Sequence, residues 1–174
     1  MSQKRQPEVE KPVKAKRRKD QKVGDENPLS LRKIEKLIIK SKTYIGSIFS
    51  DSFTNLLIKA KTFSLIVHCN NHWFCIYSTP ETFEIFDPLG FLQKADCINS
   101  IFISFLKSQL GRKVLYANPK LQSSSSFACG YFVSFFILNR ESGLTFNEIL
   151  SKFSGNYKKN ELLVKLFFKN KVSN

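Results

Sequence analysis

The sequence predicts an α+β fold in which a small mixed or antiparallel sheet is flanked by helices. Three short runs rich in β-branched and aromatic residues follow one another with only turn residues between them, at Phe63–His68, His72–Ser78 and Thr82–Phe86. Helical patterns lie before and after these runs, and such segregation of strands and helices is typical of α+β domains. A chain of 174 residues has the length of one domain with a sizeable core.

The three runs should be consecutive strands of an antiparallel meander. Asn70-Asn71 is a turn signal between the first and second runs, and Thr79-Pro80-Glu81 turns the chain into the third. Connections this short join antiparallel neighbours, because parallel strands need a long crossover.

The elements on either side of the meander follow from local signals. Ser30 can cap a first helix over residues 30–42, and residues 44–49 with Phe53 should then form an extended or irregular stretch. After the meander, a second helix is expected over residues 96–110, where apolar residues recur at helical spacing. Residues 113–117 can form a further strand.

Three helices should complete the fold. An apolar helix begins at Cys129, after a polar loop. Thr145 and Glu148 have the spacing of a capping box, in which each side chain accepts a hydrogen bond from the backbone N–H of the other residue, and this box opens a short helix. Asn156 can begin the last helix, which is rich in Leu and Phe.

The chain is expected to divide into a disordered basic arm, residues 1–27, and a folded domain, residues 28–174. The arm has almost no apolar residues, so it cannot bury enough surface to offset the entropy lost on ordering. Its cations resemble a nuclear localisation signal or a nucleic-acid-binding arm. The cations of this candidate segment are Lys14, Lys16, Arg17, Arg18 and Lys19.

The net charge of +14 favours a polyanionic partner, and nucleic acid is the usual one. For the scattered lysines of the folded part, a role in solubility alone is an open alternative. No apolar run is long enough to span a bilayer, so we expect a soluble protein without a membrane partner. The four cysteines match no disulfide framework and are expected to be reduced thiols.

Four residues have the chemistry of a papain-like site, which needs a thiol nucleophile, an imidazole base, a group that orients the imidazole and an oxyanion donor. In chain order the candidates are His72, Asp87, Gln122 and Cys129. The N-terminus of a helix favours a thiolate, which suits Cys129 as the nucleophile. His72 follows a turn at the start of a strand and would take the thiol proton.

Asp87 and Gln122 would complete this site. If the strands before Asp87 and after His72 pair, the carboxylate lies near the imidazole and can fix its tautomer. Gln122 precedes Cys129 by seven residues, and its amide could donate to the oxyanion together with the backbone N–H of Cys129. Taken singly, Cys129, Asp87 and Gln122 each have an ordinary alternative: an inert buried thiol, a turn-forming Asp-Pro pair and a loop glutamine without a role.

A competing interpretation places zinc at His68, Cys69, His72 and Cys75, which lie close together in the sequence. This cluster lacks a Cys-x-x-Cys pair. Successive side chains of a strand also point to opposite faces, so the four could not converge easily. We therefore expect no metal site, and we expect His68 to be a packed residue of its strand.

These residues and their surroundings resemble the adenovirus protease (adenain) family of cysteine peptidases. The resemblance implies a papain-like fold of the adenain and ubiquitin-like-protease type, with His72 as base, Asp87 as orienting acid, Gln122 as oxyanion donor and Cys129 as nucleophile. The matching segments are Tyr44-Ile-Gly-Ser, His72-Trp73, Phe86-Asp87-Pro88-Leu89-Gly90-Phe91, Gln122 to Gly130 and Tyr157-Lys-Lys-Asn-Glu-Leu-Leu.

The resemblance also implies a function: an endopeptidase, expected to be a monomer, that cleaves viral precursor proteins during virion maturation in the host nucleus or the virion. It implies DNA and a short basic peptide as activators. In the family this peptide is tethered by a disulfide to a cysteine shortly before the glutamine, but residues 111–121 contain no cysteine and Cys97 lies too early. The basic arm is an addition to the family pattern, and we hypothesise that it replaces the peptide.

Two other functions remain open at this point. A protease that removes SUMO or another ubiquitin-like modifier has the same order of His-Trp, Asp, Gln and Cys-Gly, although the short chain and the Asp-Pro-Leu-Gly-Phe segment favour the viral type. A basic DNA-binding core protein without catalysis would explain the charge. It would leave the ordered set of four residues unexplained.

Overall fold

The computed structural model describes residues 29–49, 60–69, 71–90, 111–117 and 120–172. Within these residues the chain forms five strands and four helices. The strands are β1 (Tyr44–Phe49), β2 (Phe63–Cys69), β3 (His72–Ser78), β4 (Thr82–Phe86) and β5 (Lys113–Tyr116). The helices are α1 (Leu31–Leu37), α2 (Cys129–Glu141), α3 (Phe146–Leu150) and α4 (Tyr157–Val172). The predicted basic arm and the helix predicted over residues 96–110 lie outside the described residues.

The five strands form one mixed sheet in the order β1-β2-β3-β4-β5. The predicted meander is confirmed, since β3 pairs antiparallel with both β2 and β4. The two outer strands are parallel to their neighbours: β1 runs with β2, and β5 runs with β4. The α+β class and the sheet flanked by helices are therefore confirmed.

The core lies between the sheet and α2, which packs across β3. Every residue of β3 is buried, as expected of a central strand that is covered on both faces. The rings of Phe86 and Phe136 stack with their centroids 4.4 Å apart and join the end of β4 to the middle of α2. Phenylalanine dominates the large side chains with no exposure, which include Phe63, Phe74, Phe83, Phe86, Phe132 and Phe136.

The first helix is shorter than predicted and ends at Leu37 rather than near residue 42. Glu141, at the end of α2, accepts hydrogen bonds from the Ser41 hydroxyl (2.6 Å) and from the backbone N–H and hydroxyl of Thr43 (2.6 and 2.7 Å). Burial alone would raise the pKa of Glu141, but these donors outweigh it and lower the pKa. The contacts hold residues 41–43 in a non-helical path that leads directly into β1.

The predicted helix starts are confirmed at the C-terminal end of the chain. Thr145 and Glu148 form the capping box at α3, with both reciprocal hydrogen bonds present. Asn156 precedes α4, and its side chain accepts a hydrogen bond from the backbone N–H of Lys159 at 3.2 Å. Ser30 differs, because its carbonyl begins α1 while its side chain makes no capping hydrogen bond. Of the helices that the structure describes, none has the length and apolar character needed to cross a bilayer.

Candidate active site

The antiparallel pairing of β3 and β4 brings His72 and Asp87 together. His72 is the first residue of β3, and Asp87 directly follows the last residue of β4. Because the two strands run in opposite directions, the start of β3 and the end of β4 lie side by side at the same end of the sheet. Two residues 15 positions apart in the sequence are therefore neighbours in the fold.

The imidazole of His72 and the carboxylate of Asp87 form a short, buried contact. His72 Nε2 lies 2.6 Å from Asp87 Oδ1, and the two residues are 9% and 0% exposed. The same Oδ1 accepts a hydrogen bond from the backbone N–H of Leu89 at 2.9 Å. The carboxylate is thus held from both sides. Its bond to Nε2 orients the ring and leaves Nδ1 as the nitrogen that can serve the thiol.

Cys129 also acts on the imidazole of His72. Burial alone would lower the pKa of His72, but the Asp87 carboxylate and the Cys129 thiol, each through a hydrogen bond and through its charge, outweigh burial and raise the pKa to about 9. The imidazolium is therefore the stable form of His72 at neutral pH. A cation beside a thiol favours the thiolate, which is the reactive form of cysteine.

The start of α2 positions Cys129, which is a free thiol and only 4% exposed. The helix begins at Cys129 itself, and the carbonyl of Ala128 accepts the first backbone hydrogen bonds, from Tyr131 and Phe132. The positive end of the helix dipole lies at this residue and also favours a thiolate.

Gly130, next to the thiol, lies where α1 approaches the start of α2. A Cβ on Gly130 would lie 2.9 Å from two atoms of Ile34 and 3.1 Å from Leu29 Cβ. The absence of a side chain at Gly130 therefore lets α1 pack closely against the start of α2. Leu29 is itself tied to the sheet, since its carbonyl accepts a hydrogen bond from the Trp73 indole at 3.2 Å.

Gln122 is fully buried in the loop before α2. Its side-chain Nε2 donates to the carbonyl of Ser126 at 2.8 Å. Its Oε1 accepts no hydrogen bond from the part of the chain that the structure describes. One of the two amide hydrogens is thus engaged inside the loop, and the second is the one that an oxyanion could use.

The turn after β4 joins the two halves of the site, which the sequence analysis did not anticipate. The carbonyl of Pro88, next to Asp87, accepts hydrogen bonds from the backbone N–H groups of Leu121 (2.9 Å) and Gln122 (3.0 Å). Asp87-Pro-Leu-Gly is recognisable in the sequence as a turn. No local signal shows which distant backbone groups its carbonyl will accept, because those contacts depend on the tertiary fold.

The residues of the zinc hypothesis have other surroundings. His68 packs between the rings of Phe49 and Trp73, at centroid distances of 5.3 and 4.4 Å, as predicted for a packed residue. Cys75 is a buried free thiol, and burial raises its pKa well above the ordinary value. Among the residues that the structure describes, no three His, Cys, Asp or Glu side chains are grouped so that they could hold a metal ion.

Cys69 is disulfide-bonded, so the expectation that all four cysteines are reduced is wrong. That expectation was based on the spacing of cysteines along the chain. Disulfide formation depends instead on the distance and orientation of two side chains in the folded protein, which spacing alone does not reveal.

No protein-family model and no curated protein matches this sequence. Among solved structures, the chain is similar to two crystal structures of the ASFV pS273R protease. The first has a TM-score of 0.46 and 18% identity over 61% of this chain and 42% of that chain. The second, a selenomethionine form, has a TM-score of 0.47 and 17% identity over 60% of this chain and 43% of that chain. The alignments thus span less than half of the ASFV protease chain.

The chain is also similar to the central domain of the uncharacterized Lpg1148 protein from Legionella pneumophila. That match has a TM-score of 0.45 and 15% identity, and it covers 77% of this chain and 91% of the other. All three likenesses are partial and of low identity.

Proposed function

We propose that this protein is a cysteine endopeptidase, with Cys129 as nucleophile, His72 as general base and acid, and Asp87 as the residue that orients His72. One observation carries the proposal: a single buried imidazole has the Asp87 carboxylate 2.6 Å from Nε2 and Cys129 as its other polar partner. This is the relation between nucleophile, base and orienting group that thiol catalysis requires.

In the proposed reaction, His72 already holds the proton of the Cys129 thiol, and the thiolate attacks the carbonyl carbon of a peptide bond. The tetrahedral intermediate collapses when the C–N bond breaks, and His72 gives its proton to the departing amine. A water molecule, deprotonated by His72, then hydrolyses the thioester and regenerates the thiol. Asp87 stabilises the imidazolium whenever His72 carries the proton.

We also assign the oxyanion donors to the backbone N–H of Cys129 and the second side-chain N–H of Gln122. Support for Gln122 comes from its burial in the loop that leads to Cys129 and from its bond to Ser126, which fixes the amide plane. Removing one such donor typically lowers kcat by roughly 10²–10³-fold. The Gln122→Ala variant is therefore expected to lose activity on that scale while it keeps a reactive thiol.

For the substrate class we propose viral precursor proteins cleaved during virion maturation in the host nucleus or virion, with stimulation by DNA. The resemblance in sequence motifs and the net charge of +14 support this part. The test compares cleavage rates with and without duplex DNA over a series of salt concentrations. Stimulation that fades as salt rises is expected for contacts with phosphates. Equal rates with and without DNA at every salt concentration would contradict it.

The peptidase proposal is tested by cleavage of a capsid-type, glycine-containing peptide and of a ubiquitin-like-modifier fusion. Cys129→Ala and His72→Ala should each abolish cleavage, whereas Cys75→Ala, which removes the other free thiol of the described residues, should retain it. Cleavage of the fusion alone would assign the chain to modifier removal. Activity that survives in Cys129→Ala would overturn the proposed site.

A further inference from the structure

Asn160, on the first turns of α4, is a buried polar residue to which the reaction above gives no role. It is 1% exposed, and all four of its hydrogen-bonding positions are engaged. Its Nδ2 donates to the carbonyls of Leu121 (3.0 Å) and Ser154 (2.8 Å). Its Oδ1 accepts from the backbone N–H of Ser154 at 2.8 Å and from the hydroxyl of Ser154 at 3.3 Å.

The bond to Leu121 fixes one end of the peptide unit that joins Leu121 to Gln122. The other polar group of this unit, the N–H of Gln122, donates to the carbonyl of Pro88 at 3.0 Å. Because a peptide unit is planar, fixing its carbonyl and its N–H fixes the orientation of the whole plane. That plane sets the direction in which the side chain of Gln122 leaves the backbone.

The two anchors of this peptide unit are themselves held by the core. Pro88 directly follows Asp87, so one anchor is tied to the acid that orients His72. The other anchor, the side chain of Asn160, is bonded to Ser154. The preceding residue, Phe153, packs its ring against those of Phe132 and Phe135, at centroid distances of 5.5 and 5.7 Å. A second contact from α4 reaches the same loop, since the Lys120 ammonium lies 5.6 Å from the centre of the Tyr157 ring.

We propose that Asn160 is a positioning residue for the oxyanion site: it holds the Leu121–Gln122 peptide unit so that the Gln122 amide faces the reacting carbonyl. This inference rests on the proposed function. The side chain of Asn160 makes its hydrogen bonds to Leu121 and Ser154, which lie outside the catalytic triad. Its loss should therefore misplace the oxyanion donor and leave the thiolate–imidazolium pair intact.

The experiment replaces Asn160 in the full chain and measures kcat, KM and the pH dependence of iodoacetamide reaction at Cys129. Asn160→Ala removes all of the side-chain bonds. Asn160→Asp keeps an acceptor for Ser154 but lacks the donor for the Leu121 carbonyl. Both are expected to lower kcat about tenfold with little change in KM, because an oxyanion donor acts mainly in the transition state. The alkylation profile of Cys129 should match that of the parent protein.

Asn139→Ala is the matched control, because Asn139 is also buried and its Nδ2 donates to a backbone carbonyl, that of Phe135, at 2.8 Å. It should leave kcat near the parent value.

A second test uses the Gln122→Ala background, in which adding Asn160→Ala should lower kcat less than twofold further, since both changes remove the same stabilisation. Rates are expressed per mole of Cys129 that alkylates selectively in a parallel sample, so unfolded protein does not count.

Three results would overturn the inference: a kcat for Asn160→Ala equal to that of Asn139→Ala, a full tenfold further loss in the Gln122→Ala background, or loss of selective Cys129 alkylation in both Asn160 variants. The last would show that Asn160 supports the fold rather than the oxyanion site. A parent protein that alkylates selectively but cleaves no peptide would instead refute the proposed peptidase function. The two failures are therefore distinguishable.

Discussion

At the scale of single residues, the imidazole of His72 interacts with both the orienting acid and the nucleophile of the proposed site. Asp87 holds Nε2, and Cys129 acts on the imidazole as its second polar partner. Burial opposes a charge on His72, yet the two partners together raise its pKa to about 9. The interactions that stabilise this charge therefore contribute to the folding free energy as well as to catalysis.

The stability of the protein should depend on pH through His72. The ordinary pKa of histidine, 6.5, applies to the unfolded chain, and the folded value is about 9, so protons bind the folded state more tightly. The contribution is fully present below pH 6.5, falls as the pH rises and is lost above about 9. Its size is roughly 3 kcal/mol, since one pKa unit corresponds to 1.36 kcal/mol.

Urea unfolding of Cys129→Ala and of the Cys129→Ala/His72→Gln double variant between pH 6 and 10 measures the part of this contribution that Asp87 supplies. The thiol is removed from both proteins because it would otherwise give up its proton to His72 on folding. The difference in unfolding free energy between the two should shrink as the pH rises above 6.5, because the remaining titrating groups are common to both. A difference that is constant over this range would show that the proton of His72 is not stabilised by folding.

At the scale of elements, the approach of α1 to the start of α2 supports the position of Cys129. Gly130 permits this approach, since a Cβ there would meet Ile34 at 2.9 Å. Ile34 is completely buried and so cannot move aside freely. The contact shows why a residue without a side chain stands next to the thiol, independently of any contact with substrate.

Gly130→Ala is expected to destabilise the fold by about 1–3 kcal/mol, as overpacking in a filled core does. Gly155→Ala is the matched control, because no atom lies within 4 Å of its Cβ position and its backbone is not in the left-handed region. That control should change the unfolding free energy by less than about 0.5 kcal/mol. In the Ile34→Ala background, Gly130→Ala should cost less than it does alone. Equal costs in the two backgrounds would refute the predicted clash.

At the scale of the whole molecule, the features that follow from local sequence were predictable. The meander, β5, the capping box of α3 and the starts of α2 and α4 each have their own residue signals, and the structure confirms them. The contact of His72 with Asp87 was predictable too, because both residues flank adjacent strands joined by a tight turn.

Features set by distant residues were not predictable from the sequence. The early end of α1 depends on Glu141, 98 residues beyond Thr43. The parallel pairing of β1 and β5 with their neighbours and the disulfide of Cys69 also depend on long-range proximity. In the site, the bond of Gln122 to Ser126 and the hold of Asn160 on Leu121 are tertiary contacts, for which a glutamine or asparagine in the sequence gives no sign.

The most direct test of the central claim is the pH dependence of iodoacetamide reaction at Cys129, read by mass spectrometry, with Cys75 as the internal comparison. We expect Cys129 to react rapidly well below the ordinary thiol pKa of about 8.5, and Cys75 to remain unreactive because burial raises its pKa. His72→Ala should shift the profile of Cys129 up to that of an ordinary thiol. A Cys129 profile that rises only near pH 8–9 and does not respond to His72→Ala would contradict the thiolate–imidazolium pair.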